Sequence, residues 1–334
     1  MKFLVTGGAG FIGSHTCESL VRQGIPVIAI DNLISGRLDN LSGILNSPIF
    51  EFIEGDIRNE SDLSKCFDQV THVIHFAGVG EIVPSIDSPL HYLEVNVMGT
   101  SKLLEMARRM GIASFVYAAS SSCYGKAQTP TNEHAPINLQ HPYAVSKYLG
   151  EALCFYWRDI YGVPVKSIRI FNAYGRRVRT SGSYGAVLGV FLKQRLESQP
   201  LTIVGDGEQL RDYVHVTDVA DAFIRASFSK RIGRVWNLGS GRGVSINRLA
   251  GMVGGEVVHI PDRPGEPRIT LADISRIMEE LDWSPRVSFE EGIKEITEHI
   301  DEWQEAPLWT PDTIANATKN WFAVLDKRND EGQS

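Results

Sequence analysis

Thr6-Gly7-Gly8-Ala9-Gly10-Phe11-Ile12-Gly13 follows a short apolar run, Phe3-Leu4-Val5, and opens a segment of helical patterning. Glycines at 7, 10 and 13 permit a tight turn, close approach of backbone to a pyrophosphate, and tight packing of helix on strand. The helix start adds unpaired N–H groups and the positive end of its dipole, both suited to phosphate. A spaced glycine triplet alone is weak evidence, because many glycine turns are only turns. Here a strand precedes it, a helix follows it, and an acid stands at the right distance. That acid is Asp31, 18 residues past Gly13, at the end of the next apolar run over 26–30. A carboxylate there accepts hydrogen bonds from an adenosine ribose and repels a 2′-phosphate, which favours NAD over NADP. The competing reading makes Asp31 a cap of the next turn, and Arg37 nearby could welcome a phosphate.

Working outward, the first 120 residues alternate apolar runs with helical patterns. Strands are expected over 3–6, 26–30, 50–55, 70–76 and 114–120, with helices over about 13–23 and 89–110. Such alternation is the signature of βαβ units and a parallel sheet. The strands are solid apolar runs, as expected when helices cover both faces. The fold class is therefore α/β, a doubly wound parallel sheet of Rossmann type, with a smaller mixed α/β C-terminal substrate domain. The expected division is a cofactor domain over 1–172 to which 212–240 return, a substrate domain from 173–211 and 241–326, and a polar tail over 327–334. Asp56 and Ile57 follow the third strand and are placed to reach the adenine. Phe76, Ala77 and Gly78 end the fourth strand, where small residues let a dinucleotide lie across the strand tips. Phe11, Ile12, Asn32 and Asn96 complete the expected cofactor contacts.

Composition excludes several other classes. The chain has 334 residues, 43% hydrophobic and 22% charged, with a formal net charge of −7, which fits a folded globular protein and not a disordered chain. No Lys/Arg-rich run occurs, so a nucleic-acid partner is not expected. Cys17, Cys66, Cys123 and Cys154 show no C-x-x-C spacing, pointing to reduced thiols in a cytosolic protein and to no metal site. No window of 18 apolar residues suggests a membrane span, and the strand at Phe3 leaves no room for a signal peptide, so a cytoplasmic location is expected.

Tyr143-Ala-Val-Ser-Lys147 places a phenol and an ammonium four residues apart, on one face of a helix. A free tyrosine has a pKa near ~10 and is a poor base at neutral pH. A neighbouring ammonium favours the phenolate and brings the group toward working pH. A Tyr-x-x-x-Lys pair is common as surface decoration. What gives it weight is 118–125, Ala-Ala-Ser-Ser-Ser-Cys-Tyr-Gly, whose hydroxyls lie just past a strand end, at the edge where open α/β sheets bind ligands.

Together these segments resemble the extended short-chain dehydrogenase/reductase family, in particular its nucleotide-sugar epimerases. The resemblance runs from Gly7 to about residue 300. It implies Tyr143 as base, Lys147 as its activator and nicotinamide-ribose ligand, and Ser120 as the catalytic hydroxyl. Dehydratases of the family follow that hydroxyl residue with an Asp-Glu pair; Ser121 and Ser122 stand here, so no acid is at hand to expel water. The resemblance further implies Asn172, Arg211 and Arg263 as ligands of a nucleotide diphosphate, a task suited to the planar fork of arginine. Thr270 falls where some relatives carry a bulky tyrosine, which would leave room for a 2-acetamido group. The implied function is NAD-dependent 4-epimerisation of a UDP-hexose, glucose/galactose or the N-acetylhexosamine pair, through a transient 4-keto sugar. The alternatives are another C4 oxidoreductase, decarboxylase or epimerase acting on UDP-glucuronate or on GDP- or dTDP-sugars. The family resemblance also implies a homodimer built on the helices near 89–110 and 143–161.

Overall fold

The structure is a computed structural model that describes residues 1–178, 187–262 and 266–331, with side chains as far as Ala323. Thirteen strands occur among the described residues: β1 (Phe3–Thr6), β2 (Val27–Asp31), β3 (Phe50–Glu54), β4 (His72–His75), β5 (Ser114–Ser120), β6 (Val165–Ile170), β7 (Asn172–Tyr174), β8 (Leu201–Val204), β9 (Leu210–His215), β10 (Val235–Leu238), β11 (Gly243–Ser245), β12 (Val257–Ile260) and β13 (Ile269–Thr270).

Seven of them form one parallel sheet in the order β10-β6-β5-β4-β1-β2-β3. Residues alternate across it: Phe3, Val5, Val27 and Ala29 enter one buried cluster, and Leu4, Ile28 and Ile30 the other. The first cluster packs under the helices Phe11–Arg22 and Val216–Phe228, through Cys17, Leu20, Val219 and Phe223. The second packs under Thr100–Met110 and Pro142–Tyr161, through Leu103, Leu104, Ala107 and Cys154. Both faces are dry, which is why each strand reads as an unbroken apolar run. All four cysteines are free and buried.

The chain runs outward from β1 through β2 to β3 and then crosses back to β4 on the other side of β1. That reversal opens a crevice at the carboxyl ends of β1 and β4, where open α/β sheets hold their ligands. Register brings the tips level: Thr6 lies beside both Ile30 and His75, and Ser120 beside Ile170.

The smaller part of the chain contains a four-stranded sheet in which β9 pairs with β7, β11 and β13, and a separate β8–β12 pair. Phe191, Leu192, Leu201, Ile203, Leu249, Ile293 and Trp303 form its core. Two features differ from the sequence expectation. The helix expected over 89–110 is a short helix Pro89–Leu93, a π-helical stretch Glu94–Gly99, and a helix Thr100–Met110. The segment expected as a polar tail from 327 continues the helix Pro311–Glu331. Among the described residues no helix is long and apolar enough to cross a membrane.

Candidate active site

A cavity of about 390 Å³ occupies the crevice, within the usual range for a small-molecule cleft. Gly7, Gly10, Phe11, Ile12, Gly13, Asp31, Asn32, Asp56, Ile57, Phe76, Ala77 and Gly78 all line it, together with Ser120, Tyr143 and Lys147. Its floor is a cradle made by missing side chains. Gly7 has φ +68°, and a Cβ there would stand 2.8 Å from the Ala77 nitrogen; one at Gly13 would stand 2.0 Å from the Gly7 oxygen. Such close backbone approach at a helix start suits a pyrophosphate, so the residues present fit a dinucleotide.

Asp31 caps its turn and also lines the cavity. Its Oδ1 accepts the Leu33 N–H at 2.9 Å and its Oδ2 the Ala9 N–H at 3.1 Å, so it closes the turn while facing the cavity. Burial pushes its carboxyl above the ordinary range, and those backbone donors pull it back. Asp56 is already engaged: Arg58 donates Nε to Oδ1 at 3.0 Å and Nη2 to Oδ2 at 2.7 Å, and Asn32 donates to Oδ2 at 2.9 Å. The Arg58 hydrogen bonds hold its carboxyl well below the usual carboxylate range. Asn96 does not line the cavity. Its side chain exchanges hydrogen bonds with the Val79 backbone at 2.8 and 3.0 Å and donates to Ser146 Oγ at 2.9 Å. It thus ties the strand-tip loop to the helix that carries Tyr143. The π-helical turn that presents it fits the frequent use of such turns at functional sites, and nothing in the apolar periodicity announced it.

Pro142 opens the helix Pro142–Tyr161 in a position where its missing N–H costs nothing. Tyr143 and Lys147 follow on one face. Tyr143 and Ser120 line the same cavity, and the Ser120 Oγ stands 2.7 Å from that of Ser122. Burial pushes the phenol up, and the Ser120 contact works the other way. Lys147 Nζ stands 4.5 Å from the centre of the Tyr117 ring, and burial brings its ammonium down to about 8. Behind it, Glu151 accepts from Arg169 Nη2 at 2.7 Å and from Ser167 Oγ at 2.6 Å. Arg169 also donates to the Tyr124 hydroxyl at 2.8 Å.

The buried ammonium carries a testable cost. Its pKa falls from 10.5 to about 8 on folding, so the charged form is disfavoured in the native state. This penalty is present in full below pH 8 and fades as pH rises from 8 toward 10.5, as the unfolded chain also loses the proton. Lys147→Met should therefore be more stable than the parent by about 2 kcal/mol at pH 7, the advantage shrinking at high pH, while activity is lost. Urea unfolding at pH 7 and pH 10 checks this; a less stable variant at pH 7 would refute it.

Of the residues expected on the substrate side, Asn172, Arg211 and Thr270 gather on the second sheet. Thr270 and Arg211 are partners in the β9–β13 register, and Asn172 Nδ2 reaches Thr270 Oγ1 at 3.4 Å and the Asp212 carbonyl at 3.2 Å. Arg211 pairs with Glu266 at 3.2 Å. Arg263 lies outside the described residues. Ser121 and Ser122 sit in the short turn Ser121–Tyr124 after β5. These five described residues lie beyond the cavity lining, which ends on this side at Ile170, Phe171 and Ala173. Sequence reading missed Tyr92 and His141, whose rings flank Tyr143, and Asp212, which accepts the Ala272 N–H at 3.0 Å and the Ser240 N–H at 2.6 Å.

A dinucleotide cradle at the reversal of strand order, with Ser120, Tyr143 and Lys147 lining the same cavity, defines a nucleotide-binding enzyme of Rossmann type. The chain belongs to the NAD dependent epimerase/dehydratase family, whose model matches residues 3–239. It is an NAD-dependent enzyme of the nucleotide-sugar epimerase class. A UDP-glucose 4-epimerase of Mycolicibacterium smegmatis is 37% identical over 308 residues, 89% of this chain and 98% of that one. A putative UDP-glucose 4-epimerase of Methanocaldococcus jannaschii is 36% identical over 302 residues, 88% of this chain and 96% of that one. The crystal structure of Thermotoga maritima UDP-glucose 4-epimerase with UDP-glucose superposes with a TM-score of 0.84 at 33% identity, covering 91% of this chain and 100% of that one.

Proposed function

We propose that the protein interconverts the C4 epimers of a UDP-hexose through a transient 4-keto sugar. The observation that carries this reading is that Ser120, Tyr143 and Lys147 line the same cavity as the glycine cradle, with serines where an acid would be needed to expel water. Bound NAD supplies one function, acceptance and return of a hydride at the sugar carbon. Tyr143 takes the proton of the 4-hydroxyl and later gives it back. Ser120 holds that oxygen, and the Lys147 ammonium stabilises the phenolate. Asn172, Arg211 and Arg263 anchor the diphosphate while the keto sugar turns over, so that hydride returns to the opposite face. The threonine at 270 leaves space beside the sugar for a 2-acetamido group.

The same reading divides the chain into a cofactor part, 1–172 with 212–240, and a substrate part, 173–211 with 241–326, working in the cytoplasm as a homodimer. Support for the dimer comes from large apolar side chains exposed on the helices expected to pair: Leu90 at 72%, Met98 at 55%, Tyr156 at 52% and Ile160 at 58%. The test is proton NMR of the protein mixed separately with UDP-glucose, UDP-N-acetylglucosamine and UDP-glucuronate, without added NAD. Growth of the axial 4-hydroxyl isomer toward equilibrium is expected, and the sugar that responds reports on Thr270. No change with any of the three, with NAD supplied and Tyr143→Phe as control, would sink the reading.

A further inference from the structure

The helix Pro311–Glu331 lies outside the residues matched by the family model, yet it packs against His141, the ring beside Tyr143. Ile314 packs with Val190, Val83 and Ile260, so the helix bridges the two halves of the molecule. Asn320 donates to Asp87 Oδ1 at 2.7 Å, fastening it to the short helix Ile82–Asp87. One residue further, the buried Trp321 ring lies against His141, centroids 6.1 Å apart. His141 in turn lies parallel to the Tyr143 ring, 3° between planes and 5.9 Å between centroids. Tyr92 meets the same phenol edge-on at 77° and 6.4 Å.

We propose that His141 and Trp321 are positioning residues for Tyr143: the C-terminal helix clamps the imidazole against the phenol and holds it in register with Ser120. The proposal rests on Tyr143 serving as the base of the reaction proposed above.

The His141 ring is fixed from two sides. Its Nδ1 accepts the Ala144 N–H at 3.2 Å as the cap of the catalytic helix, which sets the plane of the ring, and Trp321 presses on it from outside. Burial brings its pKa down to about 4, so at neutral pH it presents a neutral face and adds no charge to the site. A phenol turns freely about its side-chain bonds unless neighbours restrict it, and off-angle geometry costs rate steeply at a reacting centre. The same face excludes water, which disfavours the phenolate. Other groups facing Tyr143 are the Ser120 hydroxyl, the Cys123 thiol, the buried Tyr117 phenol and the Tyr92 ring. Lys147 follows one turn along its own helix.

Three variants test this. His141→Asn keeps a side-chain acceptor at the cap, where asparagine is favoured, and removes the ring. Trp321→Ala removes the clamp, and Trp321→Phe keeps an aromatic face. His141→Asn and Trp321→Ala should each lower kcat about tenfold with KM within about twofold, since the diphosphate contacts lie on the other sheet. Their acid limb should move to lower pH, because water readmitted to the phenol eases its ionisation. Trp321→Phe should restore both, and the double variant should be no worse than either single one.

A second readout needs no turnover: titration of the near-ultraviolet phenolate absorbance, each variant measured against its own Tyr143→Phe counterpart. The midpoint should fall in His141→Asn. If the parent protein epimerises nothing, the functional reading fails while this titration still decides the clamp. The proposal is overturned if folded His141→Asn keeps the parental kcat, pH profile and phenolate midpoint. It is equally overturned if His141→Asn does not fold, since the imidazole then serves the helix and not the phenol.

Discussion

Tyr143→Phe should lower kcat by about 10³-fold, within the range that positioned acid–base catalysis supplies, while KM for the nucleotide sugar and retention of NAD stay near parental values. The reasoning is geometric. Phe keeps the ring that packs between His141 and Tyr92 and removes only the hydroxyl, in the cavity that Ser120 also lines. Asn172 and Arg211, the proposed diphosphate ligands among the described residues, sit on the second sheet, so ground-state binding should be untouched. The parental pH dependence should bracket the same assignment. Burial raises the phenol, so activity rises with pH as the phenolate forms and falls as pH drops through the phenol's pKa. The charge that supports the phenolate resides on Lys147, whose ammonium burial brings down to about 8 in the resting protein, below the raised phenol; the two limbs therefore belong to the pair, and activity should decline at both extremes of pH. NMR-monitored progress curves at several pH values measure both limbs. Retention of more than about a tenth of parental kcat by Tyr143→Phe would remove this residue from the proton path.

The glycine motif was legible because its chemistry is local. A positive φ at Gly7 and a Cβ collision at Gly13 are requirements of residue type at fixed spacing. The strand after the motif, Asp31 at its end and the Tyr143–Lys147 face were legible for the same reason: each is fixed by a period of two or of 3.6 within one element. What was hidden lies between elements. The Asp56 carboxylate is occupied by Arg58 and Asn32, a matter of how two loop residues fold back. The π-helical turn at Asn96 leaves the apolar pattern of its helix nearly intact. Trp321 and His141 are 180 residues apart in sequence, and only the docking of the last helix unites them. A polar composition suggested a tail from 327, but the helix that docks through Ile314 and Trp321 runs on to Glu331.

Glu151→Ala should destabilise the fold by about 3–5 kcal/mol, because it strands the Arg169 guanidinium in the interior without its counter-charge. The two side chains are 3% and 7% exposed. Arg169 makes three contacts to the Glu151 carboxylate, at 3.1, 3.1 and 2.7 Å, and desolvation of an unpaired cation is far costlier than loss of a surface ion pair. Such a loss is a large part of a domain's net stability. The pair also joins the catalytic helix to β6, and through Tyr124 to Asn237 on β10 at 2.7 Å, so the damage should reach function. Glu151 lies one turn beyond Lys147 and favours its ammonium; without it the lysine proton leaves at lower pH and the alkaline limb of the activity profile moves inward. Urea unfolding of Glu151→Ala and of the double variant Glu151→Leu/Arg169→Met separates pairing from packing. The double variant should recover most of the lost stability, since no charge is left unpaired, but not the parental alkaline limb. A single variant destabilised by less than about 1 kcal/mol would show that water reaches Arg169, and the pair would then count as a surface bridge.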